Sequence, residues 1–375
     1  MPWKSVRFVV SVDELEHLDD EEKKRIRKVA DKYRFRANSY YLSLINWDDP
    51  KDPIRRIIIP NEDELVEWGH LDPSSEASYM VIGGVEHKYE DTVVMLVSPV
   101  CGGVCRFCFR KRIFMGSEVL KDEDVDKAVE YVRQHKEVTD VLLTGGDPLM
   151  LPTRKLRRII SALDTVPHLR VIRIGSKVPA YLPMRITGDP ELLHLLSSSS
   201  KPHRRFYIVT QFNHPRELTE QAVAAIQALQ KAGCILVNQT PMLRGVNDNP
   251  QTLSDLLKRL ESVGVPPYYV FQCRPASGNR IYVVPVEEGY SIFSEAVRTC
   301  SGLAARARYV MSHKTGKVEI VGLTDDKIVF HYHRCPDKSV RGRILIMKRN
   351  PNALWFDDYP IPEEILAVVP EAKVC

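Results

Sequence analysis

Residues 92–112 read TVVMLVSPVCGGVCRFCFRKR. A β-rich run, Thr92–Val97, feeds a short segment that holds Cys101, Cys105 and Cys108. Beyond it, Val125, Ala128, Val129 and Val132 recur at helical spacing behind Asp122, the pattern of a capped amphipathic helix. Another short strand, Val138–Leu143, comes next. Strand, loop, helix and strand make one βαβ unit, and the alternation continues through Arg170–Ile174, Phe206–Thr210, Ile235–Asn238 and Tyr268–Phe271. Between these runs lie amphipathic stretches such as Ala222, Val223, Ile226 and Leu229 behind Thr219. Apolar strands alternating with helices mean a parallel sheet, and about six such units suit a full or partial barrel better than a two-domain open sheet.

The expected fold is therefore α/β. A partial (β/α)6 TIM-like barrel covers residues 92–303, behind an N-terminal helical appendage over 1–91. In that appendage Asp13–Arg36 reads as a charged, solvated helix and Asp48–Pro53 as a connector. Residues 304–375 read as a small β-rich extension with strands at Arg308–Met311, Val318–Val321, Lys327–His333 and Arg343–Met347. In parallel α/β folds the chemistry sits at the C-terminal ends of the strands, so the loops after each strand are the places to look.

Composition narrows the class. Of 375 residues, 44% are hydrophobic and 27% charged, which excludes disordered and collagen-like chains. A net charge of +4 is too small to make nucleic acid or an anionic membrane the default partner. No apolar run approaches the roughly 18 residues of a membrane span, and no secretory leader is evident at the start. The expected compartment is cytoplasmic, where clustered cysteines bind metal or do redox work rather than form bridges.

Three thiolates spaced x3 and x2 can hold three irons of a [4Fe–4S] cluster, which ordinarily takes four cysteines. The fourth iron then keeps an open position, as a catalytic metal does. Gly102 and Gly103 allow the backbone to wrap closely. The alternatives are a zinc site or a group of buried, reduced cysteines, but zinc knuckles use paired C-x2-C and no second pair occurs.

Cys-x3-Cys-x2-Cys after the first strand of a βα repeat resembles the radical S-adenosylmethionine (SAM) superfamily. The next strand ends in Thr144-Gly145-Gly146-Asp147-Pro148, similar to the superfamily's GGE/GGD segment beside the methionine amino group. The likeness goes further. Asn38–Pro60, His87–Tyr89, the cysteine segment with Arg110, Leu143–Leu149, Arg173–Ser176, Leu182–Thr187, Phe212–Pro215, Asn238–Asp248 and Pro267–Cys273 resemble lysine 2,3-aminomutase in the same order. The match runs from about Asn38 to about Gly322.

That resemblance implies an isomerase of the intramolecular amino-transfer class. It implies a [4Fe–4S] cluster on Cys101, Cys105 and Cys108, and SAM held near Gly145, Gly146, Asp147, Gln211, Asn213, His214 and Gln239. It also implies pyridoxal phosphate (PLP) on Lys317, with Lys314 as the competing lysine and Lys88 and Tyr89 as further PLP contacts. Lys88 stands where the family has arginine, which keeps the charge and loses the fork. Arg110 matches the arginine for the substrate α-carboxylate. In the implied reaction a 5′-deoxyadenosyl radical takes hydrogen from the β-carbon and the amino group moves from C2 to C3, with PLP spreading the radical. An electron donor such as flavodoxin or ferredoxin, and a small-molecule amino acid substrate, complete the set.

Two departures matter. The carboxylates that hold the lysine ammonium in the family are missing: one position is Arg274, the other falls at Met311 or Ser312. A guanidinium near a substrate ammonium would cost about 4 kcal/mol at an effective dielectric of 20, roughly a thousandfold in binding. A basic residue there resembles the glutamate-directed members, so an acidic or neutral side chain is expected. Secondly, the family's C-terminal zinc staple is replaced by His331, His333 and Cys335, which could hold zinc or simply line the polar face of an edge strand. A homo-oligomer is left open. The rival functions are a radical mutase acting on a protein-bound lysine, a PLP-independent radical SAM enzyme, and a non-catalytic metal scaffold.

Overall fold

The computed structural model describes residues 5–116 and 119–370, so both outer ends of the expected terminal segments lie outside the described residues. Fourteen strands form two sheets. Strands β1 (Phe8–Val9) and β2 (Ala37–Asn38) make a small antiparallel pair. The other twelve form one sheet in strict chain order. Its N-terminal members are β3 (Met80–Ile82), β4 (Val85–Tyr89) and β5 (Thr92–Ser98). Next come β6 (Asp140–Gly145), β7 (Val171–Ser176), β8 (Arg205–Thr210), β9 (Ile235–Met242), β10 (Pro267–Gln272) and β11 (Arg308–His313). The last three are β12 (Gly316–Leu323), β13 (Lys327–Arg334) and β14 (Ile344–Lys348). From β5 to β11 every pairing is parallel; at both ends the strands run antiparallel.

Helices cover the outside of the parallel part. The helix Val125–Gln134 buries Val125, Ala128, Val129 and Val132, the four residues its spacing marks. Thr219 caps Glu220–Lys231, its hydroxyl accepting from the Ala222 N–H at 3.1 Å, and that helix buries Ala222, Ala225, Ile226 and Leu229. Alternate strand residues such as Val141, Leu143, Ile172, Ile174, Phe206 and Ile208 meet these helices in one core. Burial on this scale is the main force holding the barrel wall together.

The ends of the sheet approach each other. Lys88 on β4 donates to the His313 carbonyl on β11 at 2.8 Å, and Arg334 on β13 pairs with Asp91 beside β5. The sheet is thus curled into a partial barrel whose strand ends share one mouth.

Two features differ from the sequence expectation. Arg308–Met311 was grouped with the β-rich extension, but β11 is the seventh parallel strand, reached through the helix Val286–Arg298. Its apolar alternation looks the same in either setting, and only the pairing with β10 tells them apart. The N-terminal segment is also more than a helical appendage. It contributes β3 and β4 to the sheet, and its helix Asp20–Lys32 is half-buried through Ile26 and Val29.

Candidate active site

A cavity opens at the C-terminal ends of the parallel strands. Its wall includes Cys101, Cys105, Cys108, Gly145, Gly146, Gln211, Gln239, Arg274 and Lys317, which come from six different strand ends. The cysteine segment reaches this place because its backbone is strapped down from outside. The Val104 N–H donates to the Arg36 carbonyl at 2.8 Å and the Arg106 N–H to the Ile57 carbonyl at 2.9 Å. Asn38 Nδ2 donates to the Gly102 carbonyl and Asn279 Nδ2 to the Phe107 carbonyl, each at 2.9 Å.

All three thiols are unbridged and face the cavity. Burial pushes each thiol pKa up, that of Cys105 to about 12. Such thiols are good ligands once iron displaces their protons. Among the described residues no three His, Cys, Asp or Glu side chains converge on one ion. The donor set fits a cube with one open corner.

The strand carrying Gly145 and Gly146 passes very close to the cysteine segment. The Gly146 N–H donates to the Ser98 carbonyl at 2.6 Å and the Asp147 N–H to the Val100 carbonyl at 2.7 Å. A Cβ on Gly146 would lie 2.5 Å from the Val100 oxygen, so only glycine fits. Asp147 is part of the cavity wall, and its carboxylate is engaged by the neighbouring turns. It accepts from Ser176 Oγ at 2.8 Å and from the N–H groups of Leu149, Lys177 and Val178 at 3.0, 2.7 and 3.1 Å. Its role in this geometry is to lock the turns after β6 and β7.

His214 lies outside the cavity lining, and its Nδ1 accepts from the Arg216 N–H at 3.2 Å as the cap of a short 3-10 turn. Gln211 and Gln239 do line the cavity, whereas Asn213 is fully buried beside them.

Lys317 sits on β12, in register with Ser312 and Arg334. Its ammonium lies 5.1 Å from the Tyr89 ring centroid and 5.5 Å from that of Tyr269. Gly316 before it has φ +154°, and a Cβ there would meet the Arg334 carbonyl at 2.3 Å. Burial lowers the Lys317 pKa well below the ordinary lysine value, helped by Arg334, Arg173, Arg274 and Lys88. A neutral amine is the reactive form for imine exchange. Lys314 points elsewhere, pairing with Asp357 at 3.0 Å. Lys88 is buried, and burial takes it down to about 8. Amine, aromatic faces and surplus cations together fit an anionic, planar, aldehyde-bearing cofactor such as PLP.

Arg110 lies at the cavity wall and is already engaged. Its Nη2 pairs with Glu76 at 2.7 Å, its Nε meets both Glu76 oxygens at 3.1 Å, and Nη1 donates to Thr144 at 3.3 Å. Burial opposes ionisation of Glu76, but Arg110 and Arg112 outweigh it and hold the carboxyl well below its usual range. Arg274 differs. Its guanidinium stacks over the Phe109 ring at 3.6 Å, faces the cavity, and makes no side-chain hydrogen bond among the described residues. Burial lowers its pKa to about 10.

Sequence reasoning missed two acidic residues here, Glu76 and Glu86. Glu86 lines the cavity from β4, and its side chain makes no hydrogen bond among the described residues. Alternation offered a signal, because Glu86 and Lys88 share one face of a strand that is otherwise apolar or aromatic.

The proposed zinc trio is not assembled. His333 Nε2 meets Tyr269 Oη at 2.7 Å, His331 Nδ1 meets Glu319 at 3.2 Å, and Cys335 is buried past the end of β13, its thiol on the Thr315 carbonyl at 3.2 Å. Strand alternation gave them a common face; individual partners pull them apart.

Comparison with known proteins places this geometry. Residues 95–257 match the Radical SAM superfamily. The chain is 52% identical over 358 residues, 95% of its length and 96% of the relative's, to a protein of Aquifex aeolicus (strain VF5) provisionally named L-lysine 2,3-aminomutase. The chain belongs to the lysine 2,3-aminomutase family. L-lysine 2,3-aminomutase of Clostridium subterminale is 37% identical, with 77% of this chain and 70% of that protein covered. Glutamate 2,3-aminomutase of Clostridioides difficile is 33% identical, with 84% and 74% covered. Membership makes this chain a radical SAM aminomutase, an isomerase that uses a [4Fe–4S] cluster, SAM and PLP. It acts on a small-molecule amino acid substrate and needs a reductant. Among the described residues no helix is long and apolar enough to cross a membrane.

Proposed function

We propose that this aminomutase converts a free α-amino acid with an acidic side chain into its β-amino isomer. The observation that carries the reading is Arg274: a guanidinium in the cavity wall, held on Phe109 at 3.6 Å, that among the described residues feels the charges of Glu76 and Glu86 but makes no hydrogen bond or ion pair with either. A buried cation that no carboxylate contacts directly is costly, and a ligand anion brought against it offsets that cost. A side-chain carboxylate would meet it with two parallel hydrogen bonds, and a substrate ammonium would be repelled. A glutamate 2,3-aminomutase among the relatives is consistent with this choice. The same cation argues against the ε-ammonium of a protein-bound lysine.

In this reading Cys101, Cys105 and Cys108 hold the cluster. The backbone at Gly145 and Gly146, with Gln211 and Gln239, receives SAM. Lys317 holds PLP, with Lys88 and Tyr89 beside it. When bound, the cluster and SAM supply a 5′-deoxyadenosyl radical, and PLP supplies the conjugated group that carries the migrating nitrogen. The chain's own side chains orient and enclose. Arg110, braced by Glu76, meets the substrate α-carboxylate, and Arg274 fixes the far end. Two anchors leave the β-carbon little freedom, which favours one reacting geometry. A low-potential donor of the flavodoxin or ferredoxin type supplies the electron.

The test is anaerobic incubation of the reconstituted enzyme with a panel of amino acids, scored for β-amino products. Glutamate or a close acidic analogue should turn over best; preference for lysine would overturn the substrate assignment. Borohydride reduction of the holoenzyme followed by peptide mapping should leave pyridoxyl on Lys317, and a label elsewhere would overturn that assignment.

A further inference from the structure

We propose that Tyr181 donates a hydrogen bond to the cluster-bearing sulfur of Cys105 and thereby sets how readily the cluster takes up its electron. The Tyr181 Oη lies 2.9 Å from Cys105 Sγ. The tyrosine ends the short helix Val178–Tyr181 after β7, and its side chain is 1% exposed. Sulfur is the one partner of this hydroxyl among the described residues.

The contact is built rather than incidental. Asn38 Nδ2 donates to the carbonyls of both Gly102 and Tyr181, each at 2.9 Å, and so pins the cysteine segment to the tyrosine's own backbone. A Cβ on Gly103 would lie 3.4 Å from two ring carbons of Tyr181, so the ring rests on the segment. From the other side Tyr41 packs edge-on with centroids 4.3 Å apart. The Lys177 ammonium stands 4.9 Å from the centroid of the phenol ring, and is itself paired with Glu217 at 2.6 Å. A cation on the ring face draws electron density from the phenol and makes its O–H a better donor.

Once Cys105 is a thiolate ligand it can only accept, so the phenol must donate. Reduction adds one negative charge to the cluster, part of which resides on its cysteine sulfurs. A donor on such a sulfur stabilises the reduced state more than the oxidised one and raises the reduction potential. Burial strengthens the effect because water does not compete. No proton leaves the tyrosine. Tyr181 is thus a positioning and tuning residue, acting on the cluster through Cys105.

The inference rests on Cys105 being a cluster ligand, which iron content and the electron paramagnetic resonance signal of the reduced holoprotein test separately. Tyr181→Phe keeps the packing and removes the donor. In reconstituted holoprotein it should retain wild-type iron, while the midpoint potential moves negative by about a tenfold change in the one-electron equilibrium, about 59 mV. Tyr181→3-fluorotyrosine keeps shape and hydroxyl and strengthens the donor, so its shift should be positive. Electron–nuclear double resonance on the wild type should reveal a deuterium-exchangeable proton coupled to the cluster that Tyr181→Phe lacks. Unchanged potentials in iron-replete variants would overturn the inference and leave the ligand assignment standing; a wild type without iron at these cysteines would overturn both.

Discussion

The Glu64 carboxylate and the Arg106 guanidinium face each other at 2.8 Å with both side chains fully buried. Arg106 lies between Cys105 and Cys108, and its remaining N–H groups reach the carbonyls of Tyr33 and Arg34. The N-terminal segment therefore grips the cysteine segment from behind. Removing one partner of such a pair strands a buried charge, which costs about 3–5 kcal/mol. Glu64→Gln should lose stability of that order in urea unfolding and retain less iron after reconstitution. The double variant Glu64→Leu with Arg106→Met, which strands no charge, should recover much of the stability.

Gly146 defines how closely the turn proposed to receive SAM approaches the cysteine segment. Its neighbour there is the Val100 backbone, which cannot swing aside as a side chain would. Gly146→Ala should keep the circular dichroism of the wild type and lower SAM cleavage at least a hundredfold, about 2.7 kcal/mol in barrier. Gly83→Ala is the control, since a Cβ there meets nothing within 4 Å; its cleavage rate should match the wild type.

Among the described residues Arg274 makes no hydrogen bond or ion pair with a carboxylate and feels Glu76 and Glu86 only through their charge, so its loss should weaken the fold little. Arg274→Met should raise KM for the acidic substrate roughly a hundredfold, the scale of a lost buried charge pair at about 3 kcal/mol. The change in kcat should be smaller. Thermal unfolding of the apoprotein should be unchanged or slightly higher. A fall in stability with KM unchanged would reverse the assignment of this residue.

Glu86 gives a pH signature. Burial, and then the nearby Glu76, push its carboxyl up to about 7, against the pull of Arg110, Lys88 and Arg274. The unfolded chain releases that proton near 4.5. Between those values the folded protein holds a proton that the unfolded one has lost. The stabilisation is therefore complete below about pH 4.5 and disappears as pH rises through about 7. Glu86→Gln cannot ionise, so its stability relative to the wild type should grow from pH 5 to pH 8. A constant difference across that range would show that Glu86 does not titrate there.

Much of this protein is written locally. The strand periodicity from Thr92 to Phe271, the helix faces at Val125–Val132 and Ala222–Leu229, and the cysteine spacing all depend on neighbours in sequence. These patterns, with the family likeness, are enough for the parallel barrel and for naming Cys101, Cys105 and Cys108 as candidate ligands. What needed tertiary structure were relationships between distant strands. β11 is parallel because β10 lies beside it. His331 and His333 share a strand that Cys335 directly follows, but the three are drawn to Glu319, Tyr269 and Thr315. Glu76 occupies Arg110 across 34 residues of chain, and Tyr181 meets Cys105 across 76. Backbone propensity and burial repeat with short periods that a sequence displays directly. The pairing of charges and hydrogen bonds depends on which loops the curled sheet brings to its mouth.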